Sequence, residues 1–369
     1  MNEIDSSPVK PRREVTCFRP PQVMRVAVAL ALCAFGLGGT VLRADEIDEA
    51  TKRGVAFLLK EQDKSGAIRE FGMHETAMTA LSLLAMAAVG HLPGDPTPEG
   101  ESAQRALDFL LSKGVQDAEG YFGARDSSRM YGHGIATLAL AELLGMTTNG
   151  SSRERLRDAC KRGIELILRA QQVQKSRKQD EGGWRYTPKA NDSDLSVTIW
   201  QLMALRSAKN ADLEVPSEAI SRAVAYIRNS FRKPPSEASP TGFSYTPGTV
   251  AEWSTAAEGL LALQVCGEYE ATEVKETSDW LLKNPPKGSG SRQRWFYYGT
   301  YYYAQGMYQR GGRHADESAK FVREALLPMQ EKEGNWKAAS DSEKNRVYCT
   351  AMALLSLSVK YHFLPIYQR

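Results

Sequence analysis

Two acids, Asp192 and Asp194, stand immediately before an apolar run, LSVTIWQLMAL. A carboxyl in that position can cap the helix that follows by accepting backbone N–H bonds. It can also face a cavity, where lost hydration raises its pKa and makes it a proton donor. Other reactive side chains recur at the same kind of place: His74 and Glu75, Tyr131 and His133, Glu252 and Trp253, Tyr298 with Tyr301 and Tyr302, Arg346, and Cys349. Imidazoles move protons near neutral pH. Aromatic faces, Trp200 among them, hold cations and apolar groups. Arg346 could take a carboxylate or pair with a neighbouring acid. Capping and packing are the structural alternatives for every one of these residues.

What positions them is a repeat. An amphipathic segment with apolar residues three and four apart, such as Val55, Leu58 and Leu59, is followed by a glycine–aromatic turn and then by a more apolar, small-residue-rich segment. Six such pairs follow one another, of roughly fifty residues each. They are 47–62 with 74–90, 101–115 with 131–145, 152–173 with 194–208, 217–231 with 252–267, 272–284 with 298–310, and 314–330 with 347–360. Ser151 with Glu154, and Thr272, read as N-terminal caps. Gly90, Gly145 and Gly267 read as C-terminal ends. No period-two run competes, so almost no sheet is expected. The first helix of each pair keeps a charged face and should lie outside, and the second should be buried. The spacing predicts an all-α fold, an (α/α)6 toroid with inner and outer rings, with an open solenoid as the alternative.

Residues 1–44 differ from the rest. Lys10, Arg12, Arg13, Arg19 and Arg25 lead into an uncharged apolar run at 26–42, then Arg43-Ala44-Asp45. This reads as an export signal cleaved near Ala44, leaving a single domain at 45–369, with a membrane anchor as the alternative. Periplasmic or extracellular location follows. The net charge of +3 argues against a nucleic-acid partner. The cysteines (Cys17, Cys33, Cys160, Cys266, Cys349) form no CxxC or Cys/His cluster, so neither a zinc site nor a disulfide scaffold is expected.

The turns carry a family likeness. Gln330-x-x-x-Gly334-Asn335-Trp336 resembles the QW repeat of squalene and oxidosqualene cyclases. So do Arg53-Gly54-x-x-Phe57-Leu58-x-x-x-Gln62-x-x-x-Gly66-x-Ile68, Gln116-x-x-x-Gly120-Tyr121-Phe122, and Arg162-Gly163-x-x-Leu166-Ile167-x-x-x-Gln171 with Gly182-Gly183-Trp184 after an insertion. The resemblance spans about residues 47–369 and includes the related protein prenyltransferase β subunits. It implies a toroid whose inner-helix N-termini line the mouth of an apolar cavity. The QW residues themselves read as structural.

Asp192-Ser193-Asp194 resembles the first three positions of the cyclases' DxDD motif, whose middle Asp protonates an alkene. On that alignment Asp194 is the acid and Asp192 its partner. Leu195 departs from the motif, and one barrel stands where those cyclases have two. The prenyltransferases' zinc-binding Asp-x-Cys is missing, so no metal or cofactor is implied. An isoprenoid or other apolar small molecule is the ligand this likeness implies. Two other readings stand beside it: a non-catalytic binding or scaffold toroid, and a polysaccharide-active (α/α)6 enzyme.

Overall fold

The computed structural model describes residues 45–146, 151–233, 240–287 and 294–368. They fall within one unit, Asp45–Arg369. The basic leader and the apolar run at 26–42 lie outside the described residues, as do the side chains of Ser151 and Ser152. Among the described residues there are twelve α-helices. Six are outer: α1 (Glu46–Lys60), α3 (Pro98–Leu110), α5 (Ser151–Gln171), α7 (Ser217–Asn229), α9 (Thr272–Lys283) and α11 (Gly312–Leu326). Six are inner: α2 (Glu75–Ala88), α4 (Arg129–Met146), α6 (Leu195–Asn210), α8 (Trp253–Val265), α10 (Phe296–Arg310) and α12 (Arg346–Leu357). Among the described residues the one ladder longer than an isolated bridge is a two-residue antiparallel pairing of Phe231–Arg232 with Gly242–Phe243.

The inner helices pack in the order α2, α4, α6, α8, α10, α12, and α12 returns to α2. The ring is closed, an (α/α)6 toroid. Hydrophobic patterning explains the two layers: nearly every residue of α6 and α8 is buried, whereas α11 buries only Ser318, Val322, Ala325 and Leu326.

The Gln–Gly–aromatic turns tie successive outer helices together. The Gln330 amide donates to Gly334 O at 2.9 Å within its own turn and to Ala50 O at 2.8 Å on α1. Gln62, Gln116 and Gln171 make the same pair of bonds to their own turns and to α3, α5 and α7. Each glutamine thus bonds a carbonyl inside the next outer helix, within about its first two turns. At the ring-closing turn Gly334 has φ 95°, and a Cβ there would lie 2.3 Å from the Arg53 carbonyl oxygen, so glycine is required. Trp336 and Trp184 are buried, their indole N–H groups donating to Leu326 O and Ile167 O.

Some helix ends differ from the expected ones. Helix α3 begins at Pro98, capped by Thr97, because a proline at the first position gives up no helical hydrogen bond. Helix α9 is preceded by Ala271 rather than capped by Thr272. Gly90 and Gly267 end their helices at positive φ, but Gly145 lies inside the last turn of α4.

The C-terminal segment closes the far end of the ring. Leu364, Ile366 and Tyr367 are buried, and the short turn Pro365–Tyr367 lies against α4 and α6. The Tyr367 hydroxyl meets that of Tyr301, and Gln309 Nε2 donates to Tyr367 O at 2.7 Å. Glu142 on α4 anchors this plug: it accepts from Ile366 N at 3.2 Å and from the Ser207 hydroxyl.

Candidate functional site

At the opposite end the inner helices begin, and their backbone N–H groups face the mouth. Asp194 is the N-cap of α6. Its Oδ1 accepts from Val197 N at 2.7 Å, and its own N–H donates to Trp184 O. The carboxyl is completely buried, and its Oδ2 lies beside the edge of the Arg185 guanidinium, Nε at 3.3 Å, with the Tyr245 hydroxyl also close enough to favour the charged form. Burial pushes its pKa up to about 7, while the Val197 amide and the Arg185 charge pull against it. Asp194 is therefore both a cap and an acid poised near neutrality. Asp192 is half exposed, with Arg185 Nη1 at 3.6 Å from its Oδ2.

A second acid stands behind the first. Glu258, on α8, is buried, and its Oε2 accepts no hydrogen bond. Desolvation, followed by the nearby Asp194 charge, pushes its pKa well above the usual carboxylate range. The Ser196 hydroxyl lies 2.6 Å from that of Tyr298 and eases Glu258 in the other direction.

Tyrosines surround the pair. Tyr298, at the start of α10, also receives the Trp200 indole N–H at 3.1 Å and the Tyr302 hydroxyl at 3.3 Å. Trp200 stacks on Tyr301, ring centroids 6.0 Å apart and planes 10° apart. Helices α6 and α10 are separated in the ring by α8, so these contacts run through the inside of the ring, in front of α8. Tyr186 and Tyr245 hydrogen-bond each other, and their rings carry the Arg185 guanidinium at 4.7 and 5.6 Å. Tyr131 stands 6.1 Å from Tyr186. Burial, then the charge of Asp194, raises its phenol pKa. The outer edges of Tyr131, Tyr186, Tyr245 and Tyr298 remain partly exposed and form the mouth.

The structure thus brings together Asp194, Asp192, Trp200, Tyr131, Tyr298, Tyr301 and Tyr302. The other rim residues are engaged elsewhere. His133 is buried, its Nδ1 accepting from Phe122 N and its Nε2 against Gly163 O. The turn N–H groups of Ile68, Trp184 and Trp336 are met by Thr79, Thr198 and Thr350, so His133 holds the position that a threonine fills at those junctions. Burial lowers its pKa to about 4, and it is neutral. His74 lies 3.1 Å from Asp126 O, and Glu75 pairs with Arg69 and Arg125. Glu252 forms a capping box with Thr255. Trp253 donates to Asn284 O and stacks on Tyr303. Arg346 is bound to Glu70, side chain and backbone both, and Cys349 is buried with its thiol on Glu343 O.

Glu258, Ser196, Arg185, Tyr186 and Tyr245 were not among the residues marked from sequence. Glu258 carried a signal: it is the sole charge in the otherwise apolar segment WSTAAEGLLALQV. Among the described residues no three His, Cys, Asp or Glu side chains gather closely enough to hold a metal ion. No helix there is long and apolar enough to cross a membrane.

No protein-family model matches the chain, and no curated protein sequence matches it. Solved structures resemble it in fold. The apo form of the type II terpene cyclase MstE from Scytonema has 16% identity and a TM-score of 0.56, over 87% of this chain and 100% of that one. The GH76A α-1,6-mannanase from Salegentibacter sp. has 9% identity and a TM-score of 0.60, over 86% and 100%. Cellobiose 2-epimerase from Bacillus thermoamylovorans has 13% identity and a TM-score of 0.58, over 85% and 99%. At these identities the likeness is one of fold, an α/α toroid that serves both terpenoid and carbohydrate chemistry.

Proposed function

We propose that this chain is an exported toroid that binds a small isoprenoid-like or other apolar ligand at the tyrosine-lined mouth, with Asp194 as proton donor. The observation that supports this is the buried carboxyl pair, Asp194 and Glu258, under aromatic faces at the mouth of the inner ring. An acid shielded from water is neutral enough to keep its proton and has no solvent competing for it. It would give that proton to a terminal alkene carbon. The adjacent carbon becomes cationic, the next double bond closes on it, and loss of a proton leaves an isomer of unchanged mass. Asp194 is reset from solvent. Tyr298, Tyr131 and Trp200 offer π faces to the cation. Forms of the Scytonema cyclase are held with geranylgeranyl dihydroxybenzoate and with merosterolic acid A, which supports an apolar ligand. The basic leader and apolar run at 26–42 support export.

A second reading, a carbohydrate-active enzyme, is favoured by one observation. Trp200, Tyr301 and Tyr302 are buried against one another inside the ring, and a hydroxyl-rich ligand would rest on the partly exposed tyrosines of the mouth without displacing them. One experiment separates the two. The full chain is incubated with geranylgeraniol and, separately, with manno- and cello-oligosaccharides. The expected product is a cyclised isomer of the polyprenol, lost in Asp194→Asn. Oligosaccharide turnover with no polyprenol product would overturn the first reading.

A further inference from the structure

The mouth gathers more carboxyl groups than cations. Asp192, Asp194 and Glu258 present three carboxyls; Arg185 pairs with the first two, and Lys175 lies by Asp192, its Nζ on the Asp192 carbonyl at 3.1 Å. Glu258 has no such partner. Its Oε2 is buried without a hydrogen bond, and it lies behind Ser196 and Tyr298, on the axial side of α8. A carboxyl in that state either keeps a proton or waits for a positive charge.

The surroundings state what kind of charge. The hydroxyls of Tyr186, Tyr245, Tyr298 and Tyr302 are spent on one another and on Ser196, so what these side chains have left to offer a ligand is ring surface. Ring faces favour weakly hydrated organic cations over compact metal ions. Arg185 already shows the arrangement: a delocalised cation resting on Tyr186 and Tyr245, with Asp192 and Asp194 at its edge. On the Glu258 side stand Tyr298, partly exposed with its hydroxyl on that of Ser196, and Tyr131, whose phenol feels both Asp194 and Glu258.

We propose that the Glu258 side of the mouth binds an organic ammonium group, carried by the ligand itself. This deepens the reading given above, in which the same residues steady a positive charge formed during reaction, and it rests on the mouth being the ligand site. Glu258 is then a binding residue, answering the ammonium as Asp194 answers Arg185.

The test is titration of the full chain with choline and with 3,3-dimethylbutan-1-ol, its uncharged counterpart of the same shape, by calorimetry at constant ionic strength. Choline is expected to bind at least tenfold more tightly than the alcohol. Glu258→Gln should remove that advantage while keeping the melting temperature and circular dichroism of the parent. Equal binding of choline and the alcohol would overturn the ammonium proposal, as would failure of choline to bind or full choline affinity in Glu258→Gln. If polyprenol turnover survives in the parent and is lost in Asp194→Asn under those outcomes, the ammonium assignment alone has failed. If turnover is absent too, the reading of the mouth has failed with it.

Discussion

The two ends of the inner ring each bury carboxyls, and they treat them oppositely. At the C-terminal end Glu142 uses both oxygens, one on Ser207 and one on the Ile366 N–H, and the chain's own tail seals it in. At the N-terminal end Glu258 keeps an oxygen without a hydrogen bond, and Asp194 has one that meets the Arg185 guanidinium and the Tyr245 hydroxyl rather than a backbone N–H. The raised pKa values do not tell these ends apart, since burial raises all three. Satisfaction does. A buried acid with every oxygen engaged is holding structure together, and one with an oxygen to spare has a vacancy that a ligand can fill.

The largest effect should come from emptying the satisfied end. Glu142→Ala strands the Ser207 hydroxyl and the Ile366 N–H and leaves a cavity under the tail, a loss of about 3 kcal/mol. Urea unfolding reads it as a lower midpoint with an unchanged slope. The matching change at the other end, Glu258→Met, removes a desolvated carboxyl that engages the Ser196 hydroxyl but leaves Oε2 without a hydrogen bond. It should leave stability unchanged or raise it by about 1 kcal/mol. Equal destabilisation by the two changes would erase the distinction between the ends.

Solution pH is a smaller perturbation that acts on both ends. Glu142 has its pKa raised from 4.5 to about 7, and Asp194 from 3.8 to about 7. A raised folded-state value means the folded protein binds the extra proton. That stability is complete below the unfolded values and is lost as pH rises through 7. Glu142→Gln and Asp194→Asn should each make the decline between pH 5 and 7 shallower, by up to about 1.4 kcal/mol per pH unit. Only Asp194→Asn should also abolish turnover of the polyprenol. Melting curves across pH and the turnover assay together show whether the acids divide in this way.

The helical pairs were legible because burial imposes its period directly on the sequence: α6 and α8 read as apolar throughout, and the outer helices read as striped. The turns were legible because Gln, Gly and an aromatic each have a fixed task there. The mouth was legible in part. Asp194 could be placed at a helix start, and its Oδ1 is the cap on the Val197 N–H, while its Oδ2 turns to Arg185 rather than to the helix. Glu142 and Glu258 were visible as lone charges in apolar helices, LALAELLG and STAAEGLLAL. Which of them would find partners depended on Ile366, 224 residues along the chain from Glu142, and no local pattern encodes that. Tyr186 and Tyr245 sit in loops, outside any periodicity.

His133 sharpens the comparison from within the mouth end, where it could be mistaken for a catalytic base. Both ring nitrogens are occupied, by the Phe122 N–H and by Gly163 O, and it does the work of the threonines at the other junctions. His133→Thr should therefore restore the usual junction with only a small loss at pH 7, about 1 kcal/mol for the unfilled volume and the missing bond to Gly163. Its pH signature runs opposite to that of the acids. A histidine whose folded value falls from 6.5 to about 4 is protonated more readily when unfolded, so the parent loses stability as pH drops from 6.5 toward 4. The variant lacks that loss, and its deficit should shrink or reverse by pH 5. Polyprenol turnover and choline binding should be unchanged, because position on the rim is not membership of the site. A variant that folds but loses turnover would return His133 to the chemistry and redraw the boundary of the mouth.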